Sequence, residues 1–419
     1  MLILKRKLNT DRVFELAIYL FTISFFFGMA STSIAYVLFL TSSIPIVYKN
    51  FEIRNFFSSL RFVSLILYFL CNFITLLFLS DSFEELLITK KLLSFFFLPI
   101  IFFSSKNFLT ERKRIFKNIY NIFVFAALIS FSLSLAYGLY RSFYASYSFN
   151  SIYLTYNKLS ELFGVQPIYM AVYYLLAILF CAKLVKLNPR KKKLYISIGV
   201  LLCFAIIQIS SRTSYLILLC IIIPQSIRFF SNFSLKIKLL FFISIILTSL
   251  ILTISIPTLK NRVINFNSNV SSYSGLALRT KIWENTFDVF TLSPIYGHGL
   301  GKSQKELAKQ YKKVNFRRAF INNFNAHNQY IQTSLDSGLI GLSILLLILI
   351  YPLIYSKLKF LHFSFGLIII ISLLTESFFL RQPGILFFTF FTSVFYILDI
   401  INTSSKNLKN TLGNKLQQP

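Results

Sequence analysis

The sequence predicts an all-α polytopic membrane protein with about twelve transmembrane helices and one large outer loop between helices 9 and 10. Three observations predict this class. The chain is 56% hydrophobic and only 14% charged, whereas a soluble domain carries about a quarter charged residues. Many of its apolar runs approach the roughly 20 residues that cross a bilayer core as a helix. Lysine and arginine also gather in alternate connections, as they do in membrane proteins.

The predicted spans divide the chain into four parts. Residues 1–257 hold spans 1–9, residues 258–335 form the large loop, residues 336–402 hold spans 10–12, and residues 403–419 form a tail. The first apolar run follows a basic leader like that of a signal peptide, but it is longer than such a peptide's apolar region, so we assign it as a helix. The twelve predicted spans fall at 13–30, 32–48, 62–80, 91–105, 118–139, 166–185, 194–210, 213–230, 236–257, 337–356, 361–376 and 384–401.

The basic residues predict the orientation, because cytoplasmic loops collect Lys and Arg. They stand before the first span and in the second, fourth, sixth and eighth connections, whereas the first connection has no charge. Even-numbered connections and both termini are therefore predicted to be cytoplasmic. This pattern accounts for much of the net charge of +29, which in a soluble protein would favour a nucleic-acid partner. We expect no nucleic-acid partner.

The large loop carries an amphipathic segment, "LALRTKIWENTFDVF" (276–290). Its apolar positions Leu278, Ile282, Phe287 and Val289 recur at helical spacing, with Trp283 beside them. Such a helix is predicted to lie in the membrane interface with Trp283 at headgroup level.

Four charged residues are candidates for function on the outer side. Arg212 stands where two apolar runs meet, and an ionisable residue at that depth is functional by default, unless it snorkels to the interface. Arg279 precedes Trp283 by four residues and shares its helix face; the alternative is an ordinary solvated charge. Glu376 and Arg381 flank the short turn "TESFFLRQPG", where they contribute to a site or simply pair with each other.

His327 is one of only three histidines in the chain, and it stands within the amide-rich stretch "NAHNQ" (325–329). The structural alternative is a helix N-cap formed by Asn325 or Asn328, with the histidine incidental. The functional interpretation is a general base, since histidine titrates near neutral pH.

Together these residues predict a chemistry. Two arginines bind a pyrophosphate through forked hydrogen bonds, and a histidine accepts the proton of an attacking hydroxyl. The sequence has no DxD-like acidic pair and no His/Cys cluster, so no metal and no cofactor are expected. This set of side chains suits transfer from a lipid-linked pyrophosphate donor.

Four motifs carry a resemblance to a known family. They are "SSRTSYLILL" (210–219), "LRTKIWENTFDVFTLSPIYGHGLGKSQ" (278–304), "NAHNQYIQTSLDSGLIGL" (325–342) and "LTESFFLRQPGILFF" (374–388). On these motifs the chain resembles the O-antigen ligase superfamily of bacterial membrane glycosyltransferases, which includes O-antigen polymerases and protein O-oligosaccharyltransferases. A further segment, "VQPIYMAVYYLLAI" (165–178), resembles the family too, but has Gln166 where a histidine is often seen.

The resemblance implies a twelve-helix protein of the bacterial inner membrane, with a periplasmic loop between spans 9 and 10 that carries the active site. It implies an undecaprenyl-pyrophosphate-linked glycan as donor, and Arg212 and Arg279 as ligands of the pyrophosphate. His327 would activate the acceptor hydroxyl for inverting attack. Glu376, Arg381, Trp283 and Asn328 are supporting substrate-binding candidates.

Three functions follow from these expectations. The first is an O-antigen ligase that uses the lipid A-core sugar as acceptor. The second is a surface-polysaccharide polymerase that uses the same donor and a second lipid-linked glycan as acceptor. The third is a lipid-linked glycan transporter. It is disfavoured because transporters tend to place ionisable residues near the membrane midplane, in paired halves with broken helices.

Overall fold

The computed structural model describes residues 2–79, 87–144, 151–209, 213–220, 276–356 and 358–415, together with residue 234. Within these ranges the chain is helical and contains no β strand. The main helices are α1 (Leu2–Ser24), α2 (Met29–Asn50), α3 (Leu60–Leu79), α4 (Ser94–Ser104), α5 (Arg114–Tyr144), α6 (Pro167–Leu187), α7 (Lys192–Ile209), α8 (Leu276–Phe290), α9 (Lys302–Lys313), α10 (Arg317–Ile321), α11 (Gln329–Tyr355), α12 (Lys359–Thr375) and α13 (Gln382–Lys415).

Shorter helical pieces connect several of these helices, and residues 213–220 are also helical. Three are α-helical, at Ile53–Phe57, Lys106–Glu111 and Tyr156–Ser160, and five are 3₁₀ turns, at Leu87–Lys91, Ser151–Leu154, Glu161–Phe163, Pro189–Lys191 and Phe378–Leu380.

Seven helices in the described part of the chain are long and apolar enough to cross a membrane, and Phe360–Thr375 is a shorter apolar helix. The seven lie in α2, α3, α5, α6, α7, α11 and α13. The predicted fourth span is short: α4 has 11 residues, about 16 Å of helix against a core of about 30 Å. Span 236–257 and residues 221–230 of span 213–230 lie outside the described residues, so twelve spans remain a prediction.

The core of the helical bundle is aromatic, which explains where many of the 50 phenylalanines go. Helix α13 runs through the centre, and most of its apolar segment is buried. Phe387 packs edge-to-face on Phe25, directly after α1, at 5.6 Å between ring centroids, and Phe391 packs on Phe123 of α5 at 5.0 Å. Such pairs add to the free energy of burial.

Helix α11 is broken at Gly338, where φ is 64° and ψ is −162°. The break leaves backbone N–H and C=O groups without partners in the helix, and residues of the turn before α9 form hydrogen bonds with them. His298 and Gly299 donate their N–H groups to the carbonyls of Leu335 and Asp336, and Leu339 donates to the carbonyl of Pro294. The part of α11 after the break, 339–355, overlaps the predicted span 337–356.

The helices of the large loop build a small core of their own. Ile282 and Val289 of α8 are buried against Leu307, Tyr311 and other residues of α9, α10 and the start of α11. Burial raises the pKa of the Tyr311 phenol, so this ring stays neutral within the core. The apolar face of α8 is therefore covered mainly by protein; of its predicted interfacial positions, Phe287 is the one left exposed.

Candidate active site

The backbone at His327 is unusual, because φ is 47° in a residue that carries a side chain. The conformation is supported locally: the side-chain oxygen of Asn325 accepts the His327 N–H at 2.8 Å. Asn325 also accepts from the Ser377 hydroxyl at 3.2 Å, which joins the stretch before α11 to the turn after α12. His327 is thus held in a fixed backbone position between two helical elements.

The imidazole of His327 faces a carboxylate. Its Nδ1 lies 3.7 Å from Glu376 Oε2, and the two side chains are 28% and 14% exposed, so both groups are partly shielded yet open to a ligand. The ring of Phe324 packs edge-on against the imidazole at 5.6 Å. A carboxylate beside Nδ1 favours the tautomer with its proton there, which leaves Nε2 able to accept a proton.

The amide side chain of Gln329 attaches the turn that follows Glu376 to the start of α11. Gln329 accepts the Phe379 N–H at 2.7 Å and donates to Thr333 at 3.0 Å. Because Phe379 belongs to the 3₁₀ turn Phe378–Leu380, this bond holds the segment from Glu376 to Arg381 against the start of α11. The clustering of amides around His327 was the only sequence signal for this contact.

Asn328 has a structural role in the described geometry. It is the N-cap of α11, and its side-chain oxygen accepts the N–H groups of Tyr330 and Ile331 at 2.9 and 3.2 Å. Asn328 is therefore a helix cap, as the structural alternative predicted, while its role in substrate binding stays a prediction. The cap satisfies two of the helix's first free donors.

Trp283 connects α8 to the histidine. Its indole N–H donates to the Ala326 carbonyl at 2.8 Å, one residue before His327, and its ring is partly buried against the loop core. The polar end of the indole therefore bonds with protein, and the headgroup-level position of Trp283 stays a prediction. Arg279 lies one turn earlier on α8, partly buried, on the helix face that carries Trp283.

Glu376 and Arg381 have different partners, and among the described residues no ion pair joins them. The side-chain oxygen of Gln166, when its amide is turned toward Arg381, accepts hydrogen bonds from both terminal nitrogens of the guanidinium, at 2.8 and 3.2 Å. The alternative in which the two residues pair with each other is therefore wrong. Gln166 orients Arg381 from the start of α6, and sequence reasoning had noted this position only as a departure from the family motif.

Arg212 lies outside the described residues. The next residue in the chain, Thr213, donates its hydroxyl to Thr375 at 3.0 Å, and Thr375 directly precedes Glu376. The structure thus joins His327, Glu376 and the Trp283 face of α8, and it holds Arg381 on the same turn. Over the ranges that the structure describes, no group of three or more His, Cys, Asp or Glu side chains is arranged to hold a metal ion.

Comparison with known proteins adds a family to this geometry. Residues 197–346, less than half of the chain, match the family model described as O-Antigen ligase. The match supports the O-antigen ligase superfamily. It confirms the resemblance predicted from the sequence motifs. The segment matched to the O-antigen ligase family contains Arg212, Arg279 and His327, while Glu376 and Arg381 lie beyond it.

A similar protein is described as an uncharacterized protein from Haemophilus influenzae. It is 28% identical over 96 residues, which is 23% of this chain and 24% of that protein. The chain therefore covers about a quarter of this relative's length. The apolar helices and the family match together indicate a membrane protein related to ligases and polymerases of lipid-linked glycans.

Proposed function

We propose that the chain is an O-antigen ligase, which transfers a glycan from an undecaprenyl-pyrophosphate donor to the sugar of a lipid A-core acceptor at the periplasmic face of the inner membrane. The observation that carries this function is the His327–Glu376 pair, held beside the large loop at the end of a broken helix. A histidine with a carboxylate partner is the arrangement that general-base catalysis needs.

The transfer step follows from that pair. The acceptor hydroxyl oxygen forms a bond to the anomeric carbon of the donor glycan, and its proton passes to His327 Nε2. The bond from the anomeric carbon to the phosphate oxygen breaks, and undecaprenyl pyrophosphate leaves with the electron pair. Glu376 stabilises the imidazolium that results. Because the hydroxyl attacks opposite the leaving group, the configuration at the anomeric carbon inverts.

Charge develops on the leaving pyrophosphate, and cations near it lower the barrier. We assign this role to Arg212 and Arg279. Support for Arg279 is its place on the face of α8 whose Trp283 bonds next to the histidine. Support for Arg212 is the Thr213–Thr375 hydrogen bond, which holds the residue after Arg212 beside the Glu376 turn.

The experiment is a transfer assay with the purified full chain in nanodiscs, a lipid-linked oligosaccharide donor and a lipid A-core acceptor. His327→Ala is expected to lose about 10²- to 10⁴-fold in rate, the usual contribution of a general base. Lys313→Ala, an exposed residue at the end of α9, is the control and should transfer at the parent rate. Parent-like transfer by His327→Ala would refute the assignment.

A polymerase would use the same pair with a different acceptor, so the assay includes a second lipid-linked glycan as acceptor. Gels of lipopolysaccharide from a deletion strain give an independent result. Core that lacks all O-antigen supports the ligase, whereas core with a single repeat indicates a polymerase. A protein that moves the donor across vesicles without joining it to either acceptor would instead be a transporter.

A further inference from the structure

A cavity of about 420 Å³ opens beside the candidate active site, and no proposed step uses it. Its wall is formed by the start of α2, the 3₁₀ turn before α4, the start of α6 and the beginning of α13. This volume falls in the range of small-molecule sites, about 300–1,000 Å³. The lining residues used below are Lys91, Gln166, Asn325, Arg381 and Gln382.

The cavity is cationic. Of the described residues that line it, Lys91 and Arg381 are the charged ones, and both are exposed to it rather than buried. Arg381 also has a preset direction, because Gln166 accepts from both terminal nitrogens and fixes the plane of the guanidinium. The guanidinium has a second fork, formed by Nε and one terminal nitrogen, and such a fork can donate two parallel hydrogen bonds to a carboxylate or a phosphate.

The cavity adjoins the base without being the same site. Asn325 lines the cavity, and the same side chain accepts the backbone N–H of His327. Neither His327 nor Arg279 lines the cavity. An anion bound at Arg381 is therefore a different anion from the pyrophosphate that we assign to Arg279.

We propose that this cavity binds an anionic substituent, a carboxylate or a phosphate, on a sugar next to the reacting one. Lys91 and Arg381 bind the charge, while the amides of Gln166, Asn325 and Gln382 bond with sugar hydroxyls. The anionic sugar belongs to the acceptor or to the first repeat of the donor. The identification of this sugar as part of a substrate rests on the proposed function. The binding of an anionic sugar in the cavity does not.

Binding is tested with the full chain in nanodiscs by saturation-transfer NMR, with methyl glucuronide, glucose 6-phosphate and neutral methyl glucoside as probes. The parent is expected to bind the two anionic probes about tenfold more tightly than the glucoside. The Lys91→Gln/Arg381→Gln double variant should bind all three within about twofold. Lys158→Gln, an exposed lysine that does not line the cavity, is the control and should keep the parent's preference.

Two results would overturn the site. One is a parent that binds anionic and neutral probes equally, and the other is a charge preference that survives in the double variant. If the double variant unfolds, Arg381→Lys replaces it. This variant keeps the charge but not the fork, so the preference should fall yet remain measurable; an unchanged preference would refute recognition by the guanidinium.

Transfer assays then identify the source of the anion. If it belongs to the acceptor, the double variant raises the KM of an acidic acceptor about tenfold more than the KM of a neutral acceptor. If it belongs to the donor, the same difference in KM appears between an acidic donor and a neutral donor. An unchanged KM for every acidic substrate contradicts the subsite. A parent that binds anionic sugars but transfers nothing refutes the proposed function and leaves the binding site standing.

Discussion

His327 adopts a backbone conformation that side chains avoid, with φ of 47°. Such a residue costs of order 1–3 kcal/mol and persists only where the surroundings enforce it. Here the surroundings are the Asn325 side chain on its N–H, the Phe324 ring on its imidazole and the Asn328 cap that follows. In this conformation the imidazole Nδ1 lies 3.7 Å from Glu376 Oε2, and strained residues of this kind cluster at functional sites.

Glu376→Gln tests whether this carboxylate supports His327 as the general base. The amide is isosteric but neutral, so it no longer stabilises the imidazolium that forms when His327 accepts a proton. We expect kcat to fall about 10- to 100-fold with KM nearly unchanged, in the transfer assay described above. Glu161→Gln, which removes a surface carboxylate that pairs with Lys158 and Arg141, should leave kcat unchanged. A parent-like kcat in Glu376→Gln would contradict the pairing.

Trp283→Phe tests the bond that connects α8 to the site. Phenylalanine keeps the ring in the loop core but removes the N–H that donates to Ala326. Loss of one partly buried hydrogen bond is expected to cost about 0.5–1.5 kcal/mol, measured as a lower midpoint of thermal unfolding in detergent, together with slower transfer. Phe287→Leu, on the exposed side of the same helix, is the control. Equal midpoints for the two variants would show that the bond contributes nothing.

At the scale of elements, the decisive feature is the break in α11. The backbones of the turn and of α11 are in close contact there. A Cβ on Gly297 would lie 2.6 Å from the backbone nitrogen of Gly338, and a Cβ on Gly338 would clash with the Ile295 carbonyl oxygen. The fully buried Asp336, two residues before the break, accepts from Ser303 of α9 at 2.5 Å and from Gln332 at 2.9 Å. The loop helices and the membrane helix are therefore bonded through backbone and side chain at one point.

Gly338→Ala should destabilise the protein strongly, because φ of 64° combines with a backbone clash that no side-chain movement relieves. Gly164→Ala is a matched control: its φ is 62°, but nothing lies within 4 Å of the added Cβ. We expect a loss of about 1 kcal/mol for Gly164→Ala and more than about 3 kcal/mol for Gly338→Ala, measured by denaturation in detergent. Similar losses would mean that the close contact with the Ile295 carbonyl is unimportant.

At the scale of the whole molecule, α11, α12 and α13 place two polar clusters at opposite ends of the bundle. His327 and Glu376 lie at one end. At the other end Arg61 pairs with the buried Asp399 at 2.7 Å, and Ser356 bonds with both Asp399 and His362. The His362 ring is thus part of a structural network.

The predicted orientation assigns the His327 end to the periplasm. Lys313→Cys, in the large loop, should react with a membrane-impermeant maleimide in spheroplasts whose inner membrane is intact. Lys191→Cys, in the predicted cytoplasmic connection between α6 and α7, should react only after the membrane is dissolved. The parent, with its four native cysteines, measures the background. The reverse pattern would invert the topology and place the site in the cytoplasm.

Sequence reasoning was most successful where a property is local. Hydropathy predicted helices, because a chain in a bilayer must satisfy its backbone hydrogen bonds within the segment. It placed α6 and the start of α13 within about two residues of their observed bounds, whereas α5 is longer than predicted at both ends and α13 continues to Lys415. The amide-rich stretch and the family motifs drew attention to His327, and the capping alternative for Asn328 followed from residue type alone.

Contacts between distant segments required the tertiary structure. Nothing in the linear order pairs Glu376 with His327, Gln329 with Phe379, or Gln166 with Arg381; each contact joins segments that only helix packing brings together. The apolar spacing of α8 predicted an interfacial helix, and the same spacing suits a helix whose apolar face is covered by protein, as it is here. The apolar pattern tells which face is buried, while the packing of the loop helices decides what buries it, and that choice positions the site.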